Sequence, residues 1–227
     1  MMQDKAIHSL PVLALLLLVA SPARAESDFE LWTEAGITYK LSKRFRLGFD
    51  QHVRFEDNAS RIERIMPDLH LRWRPKKWVY FQVGYRFLAQ PQYTLGETYW
   101  DAWHRPYGDA GLKGKVGHLG VDYRLRYQEQ FGWPYDKDGD VVHKHTIRNR
   151  LGVSWNFTPD LSLGTKNELY VRINDPDGAL HKFRSLLELD WQLHHHEFTM
   201  FVGVDKPLDD DDEPTARILG LSYHHNL

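Results

Sequence analysis

Arginines separated by a single residue recur along the sequence, as at Arg72 and Arg74 and again at Arg124 and Arg126. In an extended strand, alternate side chains point to the same face, so each pair predicts two guanidinium groups side by side. Rings of such groups attract anions in channels. Carboxylates accompany them, however, and paired charges can instead fill and stiffen an interior. The pattern therefore leaves two interpretations open, an anion-favouring channel and an ion-paired core.

Histidine and acidic clusters suggest metal binding but lack a defined ligand set. The sequence has 13 His, and the consecutive His194 to His196 cannot all face one ion on a turn. His143 and His145 share one strand face without an evident third ligand. The acidic runs Asp209–Glu213 and Asp136–Asp140 suit hard cations, but the second lacks the spacing of a helix-loop-helix calcium site. The sequence predicts no metal site and no cofactor, and solvated loops explain the acidic runs.

A lipid hydrolase is an alternative function. Ser222 beside His224, or Ser154 with His145, could supply a Ser/His pair near a barrel rim. The sequence contains no G-x-S-x-G nucleophile motif. No catalytic residue is predicted, and the sequence favours a non-enzymatic role while leaving the enzyme open.

Composition excludes several other classes of protein. The 227 residues include 29 Lys and Arg against 31 Asp and Glu, so the formal net charge is −2. Bulk positive charge of the kind that marks nucleic-acid binders is absent. The chain has no Cys, which excludes disulfides, cysteine-ligated metals and a lipid-modified cysteine anchor.

The N-terminus resembles a secretory signal peptide. Lys5 precedes the apolar run Leu10–Ala20, Ser21 and Pro22 break that run, and Ala23-Arg24-Ala25 forms an A-x-A cleavage site. The apolar run is too short for a spanning helix, which needs about 20 residues. The sequence therefore predicts a signal peptide over 1–25 and a single mature domain over 26–227.

Apolar and polar residues alternate through most of the mature chain. In the segment that starts at Leu119, for example, Val121, Tyr123 and Leu125 alternate with Asp122 and Arg124. A period of two is the signature of a strand with one apolar and one polar face. Helix-period segments are absent, so the fold class is all-β.

Strand length and aromatic placement favour a membrane barrel over a soluble sandwich. Most segments are about 9–13 residues long, whereas strands of soluble proteins average about 5–6 and membrane strands need about 9–11. Aromatic residues lie at both ends of apolar faces, as at Phe29 and Tyr39 and at Phe45 and Phe55. Ten residues, tilted by about 40°, span roughly 25 Å, the height of an outer-membrane apolar band. A soluble periplasmic sandwich that acts as a binding module remains the alternative.

The strand number follows less directly from the sequence. Ten segments are clear, with short turns at Leu41–Arg44, Pro75–Lys77, Thr158–Asp160 and His194–His196. Ten strands would put the first two and last two turns on opposite sides, and one further strand within Gln90–Gly117 would place all four on one side. That segment otherwise suggests a folded aromatic loop. We predict 10–12 strands, with twelve slightly favoured because bacterial barrels have even counts.

The order of short motifs resembles a bacterial family known as domain of unknown function 2490, whose members resemble outer-membrane barrels. The matching residues are Trp32; Arg54 with Asp57 and Asn58; Gly84-Tyr85-Arg86; Arg124-Leu125-Arg126 with Gln128-Glu129-Gln130; Arg148-Asn149-Arg150-Leu151; Glu168 with Asn174; and Gly220 to Tyr223. The resemblance covers most of the mature chain and implies a fold and a location, without an activity.

Together these observations predict a monomeric, porin-like β-barrel in the outer membrane of a Gram-negative bacterium. Its role would be passive, either restricted permeation of small polar or anionic solutes or envelope structure. Its expected partners are outer-membrane lipid, lipopolysaccharide and the barrel-assembly machinery, and nucleic acid is not expected. The residues predicted to line the lumen are Arg46, Asp50, Arg54, Arg72, Arg86, Asp122, Arg124, Arg126, Arg148, Arg150, Glu168, Arg172, Arg184 and Glu188.

Overall fold

A computed structural model describes residues 27–94, 96–132, 142–174, 180–209 and 214–227. The predicted signal peptide, 1–25, lies outside these residues. The described parts of the chain form eleven strands: β1 (Ser27–Lys40), β2 (Phe45–Glu56), β3 (Arg61–Lys76), β4 (Val79–Thr94), β5 (Glu97–Val116), β6 (Leu119–Gly132), β7 (Val142–Asn156), β8 (Leu161–Arg172), β9 (Leu180–Leu193), β10 (His196–Pro207) and β11 (Thr215–Asn226). Within the described ranges, no helix is long and apolar enough to cross a membrane.

The strands form one closed barrel, in which each strand pairs with its neighbours in sequence and β11 returns to β1. Sequential neighbours are antiparallel, whereas β1 and β11 are parallel, with Trp32 opposite Gly220. An odd strand number requires one parallel pair. The predicted all-β barrel is confirmed and the two-sheet sandwich is wrong. The predicted range of 10–12 strands is confirmed, because the described chain has eleven strands, one fewer than the slightly favoured twelve, and they close into a barrel.

The segment Gln90–Gly117 is not a loop. Its first residues, 90–94, extend β4 and its residues 97–116 form β5, and the two strands pair from Val79 opposite Leu112 to Thr94 opposite Glu97. The sequence obscures β5 because Pro106, Gly108 and Ala110 occupy the alternate positions where other strands carry large apolar side chains. The periodic signal is therefore weak although the backbone pairing of β5 with β4 is continuous.

The additional strand places the predicted short turns on one side of the barrel. The connections 41–44, 77–78, 117–118, 157–160 and 194–195 lie at one end, here called the turn end. The opposite end, here called the loop end, is where β2, β4, β6, β8 and β10 end and where β1, β3, β5, β7, β9 and β11 begin. The acidic run Asp136–Asp140, and all of Asp209–Glu213 except Asp209, fall outside the described residues.

The tight β2–β3 connection is held by the first strand. Asp57, Asn58 and Ala59 have φ angles of 53°, 56° and 61°, which is the left-handed region that non-glycine residues rarely adopt. The Asp28 carboxylate accepts hydrogen bonds from the backbone N–H groups of Asp57 and Asn58, each at 3.0 Å. These two bonds tie the turn to β1 and offset the cost of its backbone conformation.

Alternation divides the side chains between the two surfaces of the barrel wall. On β4, Val83 is 62% exposed on the outside, whereas its neighbour Gln82 is 5% exposed inside. The outer surface carries mostly large apolar side chains and the interior mostly charged ones. This distribution is the reverse of that in a water-soluble barrel, whose interior is apolar.

Candidate functional site

The structure brings the fourteen residues predicted to line the lumen to the inner face of the barrel. Thirteen of them line three cavities that follow one another along the axis. The fourteenth, Asp122, accepts a hydrogen bond at 3.2 Å from Arg150, which lines the middle cavity. The period-two alternation therefore places each of these side chains on the side that the sequence assigns to it.

Glu168 lies at the centre of an ion-pair cluster in the barrel interior. Its Oε1 accepts a hydrogen bond from Arg124 Nη2 at 2.5 Å, and its Oε2 accepts one from Arg148 Nη2 at 2.7 Å. The Tyr170 hydroxyl adds a third donor at 2.9 Å. A buried carboxylate is stable only when it is compensated in this way. The cluster joins β6, β7 and β8 across the interior.

A second cluster connects β3 to β6. Arg126 donates two hydrogen bonds to the Asp109 carboxylate, at 2.6 and 2.8 Å, and its guanidinium carbon lies 3.7 Å from the centre of the Tyr107 ring. The Tyr107 hydroxyl donates to Asp68 at 2.8 Å, and Arg86 donates to the other oxygen of Asp68 at 2.7 Å. These contacts hold the Tyr107 ring against the Arg126 guanidinium and its hydroxyl against the Asp68 carboxylate.

A third cluster lies beneath the parallel β1–β11 closure. The guanidinium carbon of Arg54 is 3.6 Å from the centre of the Trp32 ring, and Arg184 stacks on the same ring while it donates to Asp205 at 2.5 Å. Phe201 packs edge-on against Trp32. The Trp32 indole therefore contacts two arginines. Of these two, Arg184 has an ion pair with a carboxylate, and Arg54 has none within the described part of the chain.

Neighbouring cavities share part of their lining. A middle cavity of about 320 Å³ shares Arg54, Arg86, Arg148 and Arg184 with a cavity of about 250 Å³ at the loop end. It shares other residues, including Arg72, with a cavity of about 320 Å³ at the turn end. The shared arginines therefore lie at the boundaries between neighbouring cavities.

The loop-end cavity has a strong excess of cationic side chains. Nine Arg and Lys line it against three carboxylates, those of Glu30, Glu63 and Asp205. Arg105, for example, donates to the neutral amide oxygen of Gln130, whereas Arg64 pairs with Glu63 through Nη2 and its Nε is buried without a hydrogen-bond partner. Its cationic residues are Arg54, Arg64, Arg86, Arg105, Lys144, Arg148, Arg172, Lys182 and Arg184. A chamber of this kind is suited to a small anion.

The turn-end cavity contains histidines that the sequence analysis missed. His70 and His224 line it together with Glu34 and Asp50, and His52 lies beside Glu34 at 2.9 Å. The sequence directs attention instead to His194–His196, a tight turn. Strand position could have revealed these three histidines, because period-two alternation puts them on the same inner face as the predicted arginines. They were missed because their partners lie on different strands.

The structure does not assemble the candidate Ser/His pairs. Ser154 and His145 lie nine residues apart on β7, an odd separation that puts them on opposite faces of the wall. Ser222 and His224 share the inner face, but His224 Nε2 is bonded to Glu34 at 2.6 Å. Neither arrangement provides a serine hydroxyl bonded to an imidazole.

Asp209 lies at the loop end, outside the strands. His181 Nδ1 is 2.5 Å from its carboxylate, and Arg172 lies 3.8 Å away. Partial burial acts to raise the pKa of Asp209, but the hydrogen bond and charge of His181, together with Arg172, outweigh burial and hold it below its usual value. This contact attaches the start of the β10–β11 connection to β9.

Comparison with known proteins gives a family and no activity. The model of one family, described as a protein of unknown function (DUF2490), matches residues 29–203. The match spans β1 to most of β10 and includes the first two interior clusters and all of the third except Asp205. No curated protein matches the chain.

Proposed function

The chain belongs to the DUF2490 family of proteins of unknown function, and from its own geometry we propose that it is a monomeric outer-membrane barrel that admits small anions through a narrow, arginine-lined interior. The observation that carries this proposal is the distribution of side chains, apolar outside and charged inside, with a cationic excess in the loop-end cavity.

The apolar outer surface supports insertion in a bilayer. Large apolar side chains at least one-third exposed occur on every strand, for example Phe49, Val83 and Leu151. Soluble monomers rarely expose continuous apolar patches larger than a few hundred Å². A hydrocarbon environment removes that cost, and the closed barrel leaves no unpaired strand edge in it.

Aromatic contacts support the same placement. At the turn end, Phe45 stacks on Trp73 and Trp73 on Phe81, with ring centres 6.4 and 5.6 Å apart. Toward the loop end, His104 stacks on Phe131. On β6, ten residues separate Leu119 from the outward-facing Glu129, which corresponds to roughly 25 Å for a tilted strand. Aromatic girdles flank an apolar band of this height in outer-membrane barrels.

Barrels of this class keep short turns in the periplasm and longer connections outside the cell. We therefore propose that the loop end faces outward, toward the lipopolysaccharide that would surround it. In this orientation the cationic chamber is the first cavity a solute meets on entering from outside. Export would use the signal peptide proposed for 1–25, and insertion would use the barrel-assembly machinery.

Restricted passage follows from the ion pairs between the chambers. Arg148 is held by Glu168, and Arg184 by Asp205, so ion-paired side chains lie at the boundary between the middle and loop-end cavities. Fixed arginines attract anions, while their carboxylate partners limit the free charge. We expect a small conductance with a preference for anions over cations.

The test is to measure the conductance of the purified protein in planar bilayers. A shift of its gel mobility on heating first confirms that the barrel is folded. Under a KCl gradient, the reversal potential should have the sign of a chloride-selective pore. Arg64→Gln with Arg105→Gln should reduce that selectivity, whereas the control Lys43→Gln, in the exposed 41–44 turn, should not. A heat-modifiable but silent barrel would favour the envelope-structure role. Solubility without detergent would refute membrane insertion.

A further inference from the structure

Two pairs of arginines in the loop-end cavity stand directly opposite each other on neighbouring strands. Arg54 on β2 is the register partner of Arg64 on β3, and Arg86 on β4 is the register partner of Arg105 on β5. All four side chains line the cavity. Like charges directly opposite each other destabilise a sheet, so this arrangement is stable only if negative charge compensates it.

Two of these four arginines, Arg54 and Arg105, form no ion pair with a carboxylate among the described residues. The guanidinium carbon of Arg54 lies 3.6 Å from the centre of the Trp32 ring. The Nε of Arg105 donates at 3.1 Å to the amide oxygen of Gln130, which carries no charge. Both arginines line the cavity, and charged groups in an interior are normally paired. Their unpaired charge therefore favours an anionic ligand.

Arg64 adds a buried donor that is not used. Its Nη2 pairs with Glu63, but its Nε is buried without a hydrogen-bond partner. Buried polar atoms are nearly always satisfied, so this Nε requires an explanation. Arg64 and Arg54 both lie close enough to Arg105 to interact with its charge. One anion between these side chains would supply the missing acceptor and relieve their mutual repulsion.

Positive charge exceeds negative charge in this cavity even when carboxylates outside its lining are counted. Seven Arg and two Lys line it, together with three carboxylates. Asp68, Glu168 and Asp209 pair with three of these arginines from outside the lining, which raises the number of carboxylates to six. Within the described part of the chain, nine cationic groups against six carboxylates leave an excess of three positive charges. A divalent anion would neutralise most of that excess.

The chemistry of the donors favours an oxyanion over a halide. Seven of the nine cationic side chains are arginines, and a guanidinium presents parallel N–H groups that match two oxygens of one phosphate. A chloride ion offers no such pair of acceptors. The cavity of about 250 Å³ is several times larger than the roughly 30 Å³ that one water occupies in the liquid. It therefore has room for a phosphate and some of its bound water.

We propose that the loop-end cavity is a binding site for a phosphate dianion, with Arg54, Arg64 and Arg105 as its binding residues. The proposal rests on the proposed function only in that the anion must reach the cavity from the loop end. The same guanidinium groups would hold free phosphate or the phosphate group of a small ester. An anion bound here is concentrated at the entrance of the barrel, which attraction by unspecific charge alone would not achieve.

The test is calorimetric titration of inorganic phosphate into the full, folded barrel in non-ionic detergent. A background of about 0.1 M KCl screens charges more than about 10 Å apart and provides competing chloride. We expect one phosphate per chain, bound despite the excess of chloride. Displacement by methyl phosphate would extend the ligand to small phosphate esters, whereas binding that methyl phosphate does not displace would restrict it to free phosphate.

Arg54→Lys and Arg105→Lys keep the positive charge but remove the planar fork, because Lys is a point charge. Each should weaken phosphate binding by about 10-fold, and the control Arg44→Lys, at an exposed position in the 41–44 turn, should not. Neither cavity variant should change the chloride selectivity measured in bilayers, because the number of charges is the same.

Heat-modifiable mobility shows whether each variant folds. If Arg54→Lys does not fold because it loses the stacking on Trp32, Arg105→Lys decides alone. Phosphate that binds no more tightly than chloride would overturn the site, even in a barrel that conducts. Unchanged phosphate affinity in the folded Arg105→Lys variant would also overturn it. A silent barrel that still binds one phosphate would refute anion passage and support the site, so the two proposals can fail separately.

Discussion

Leu125 and Arg126 are adjacent on β6 but lie on opposite surfaces of the barrel wall, and their side chains are 41% and 4% exposed. Leu125 faces outward among apolar neighbours, and Arg126 faces inward to Asp109. One peptide unit therefore separates the apolar surface from the buried ion pairs. The two residues allow the proposed membrane placement and the interior network to be tested independently.

Leu125→Arg should destabilise a barrel in lipid by about 2–4 kcal/mol, because it puts a charge near the bilayer midplane. Leu119→Arg, beside the 117–118 turn, is the matched control and should cost about 0–1 kcal/mol, as expected near the interface. The measurement is denaturant unfolding in lipid vesicles, followed by gel mobility. Equal costs at the two positions would contradict a bilayer around β6.

Arg126→Met should cost about 3–5 kcal/mol, because it leaves the buried Asp109 carboxylate without its bidentate partner. The double variant Arg126→Met with Asp109→Asn should recover part of this loss, since neither buried charge then remains. Unfolding free energies of the two single variants and the double variant give the coupling. Strictly additive costs would show that the two groups act independently despite their short contacts.

Glu168→Gln should increase the anion preference of the pore. The change removes the carboxylate that Arg124 and Arg148 share, so both guanidinium groups gain free positive charge toward the middle cavity. Reversal potentials of wild type and variant under the same KCl gradient make the comparison, with Lys43→Gln as the control. A shift toward cation preference would exclude a role for these arginines in selectivity.

The Asp209 contact should weaken at acidic pH. Because the pKa of Asp209 in the folded chain lies below its usual value, its stabilising contribution is complete above the unfolded pKa of about 3.9. The contribution is lost as pH falls through the lower, folded pKa. Carboxyl NMR titration should give a midpoint below that of an unfolded Asp, and His181→Phe should raise it. An unchanged midpoint in His181→Phe would contradict the contact.

The all-β barrel and its inward-facing residues could be predicted because a period of two assigns each side chain to a face without knowledge of its partners. The strand number could not be predicted in this way, because Pro106, Gly108 and Ala110 stand on the outer face of β5 where large apolar residues would complete the alternation. The contacts between the interior histidines and carboxylates could not be predicted from the sequence either. Glu34 and His224 are 190 residues apart, and only closure of the barrel brings them together.

The parallel pairing of β1 with β11 has a consequence for labelling experiments. Because β1 and β11 run in the same direction, Ser27 at the start of β1 lies at the loop end, whereas Leu227, which follows β11, lies beside Thr38 at the turn end. If the chain spans a bilayer, an epitope next to Ser27 and one after Leu227 would be accessible to antibodies from opposite compartments. A doubly tagged barrel would therefore report its own orientation in intact cells.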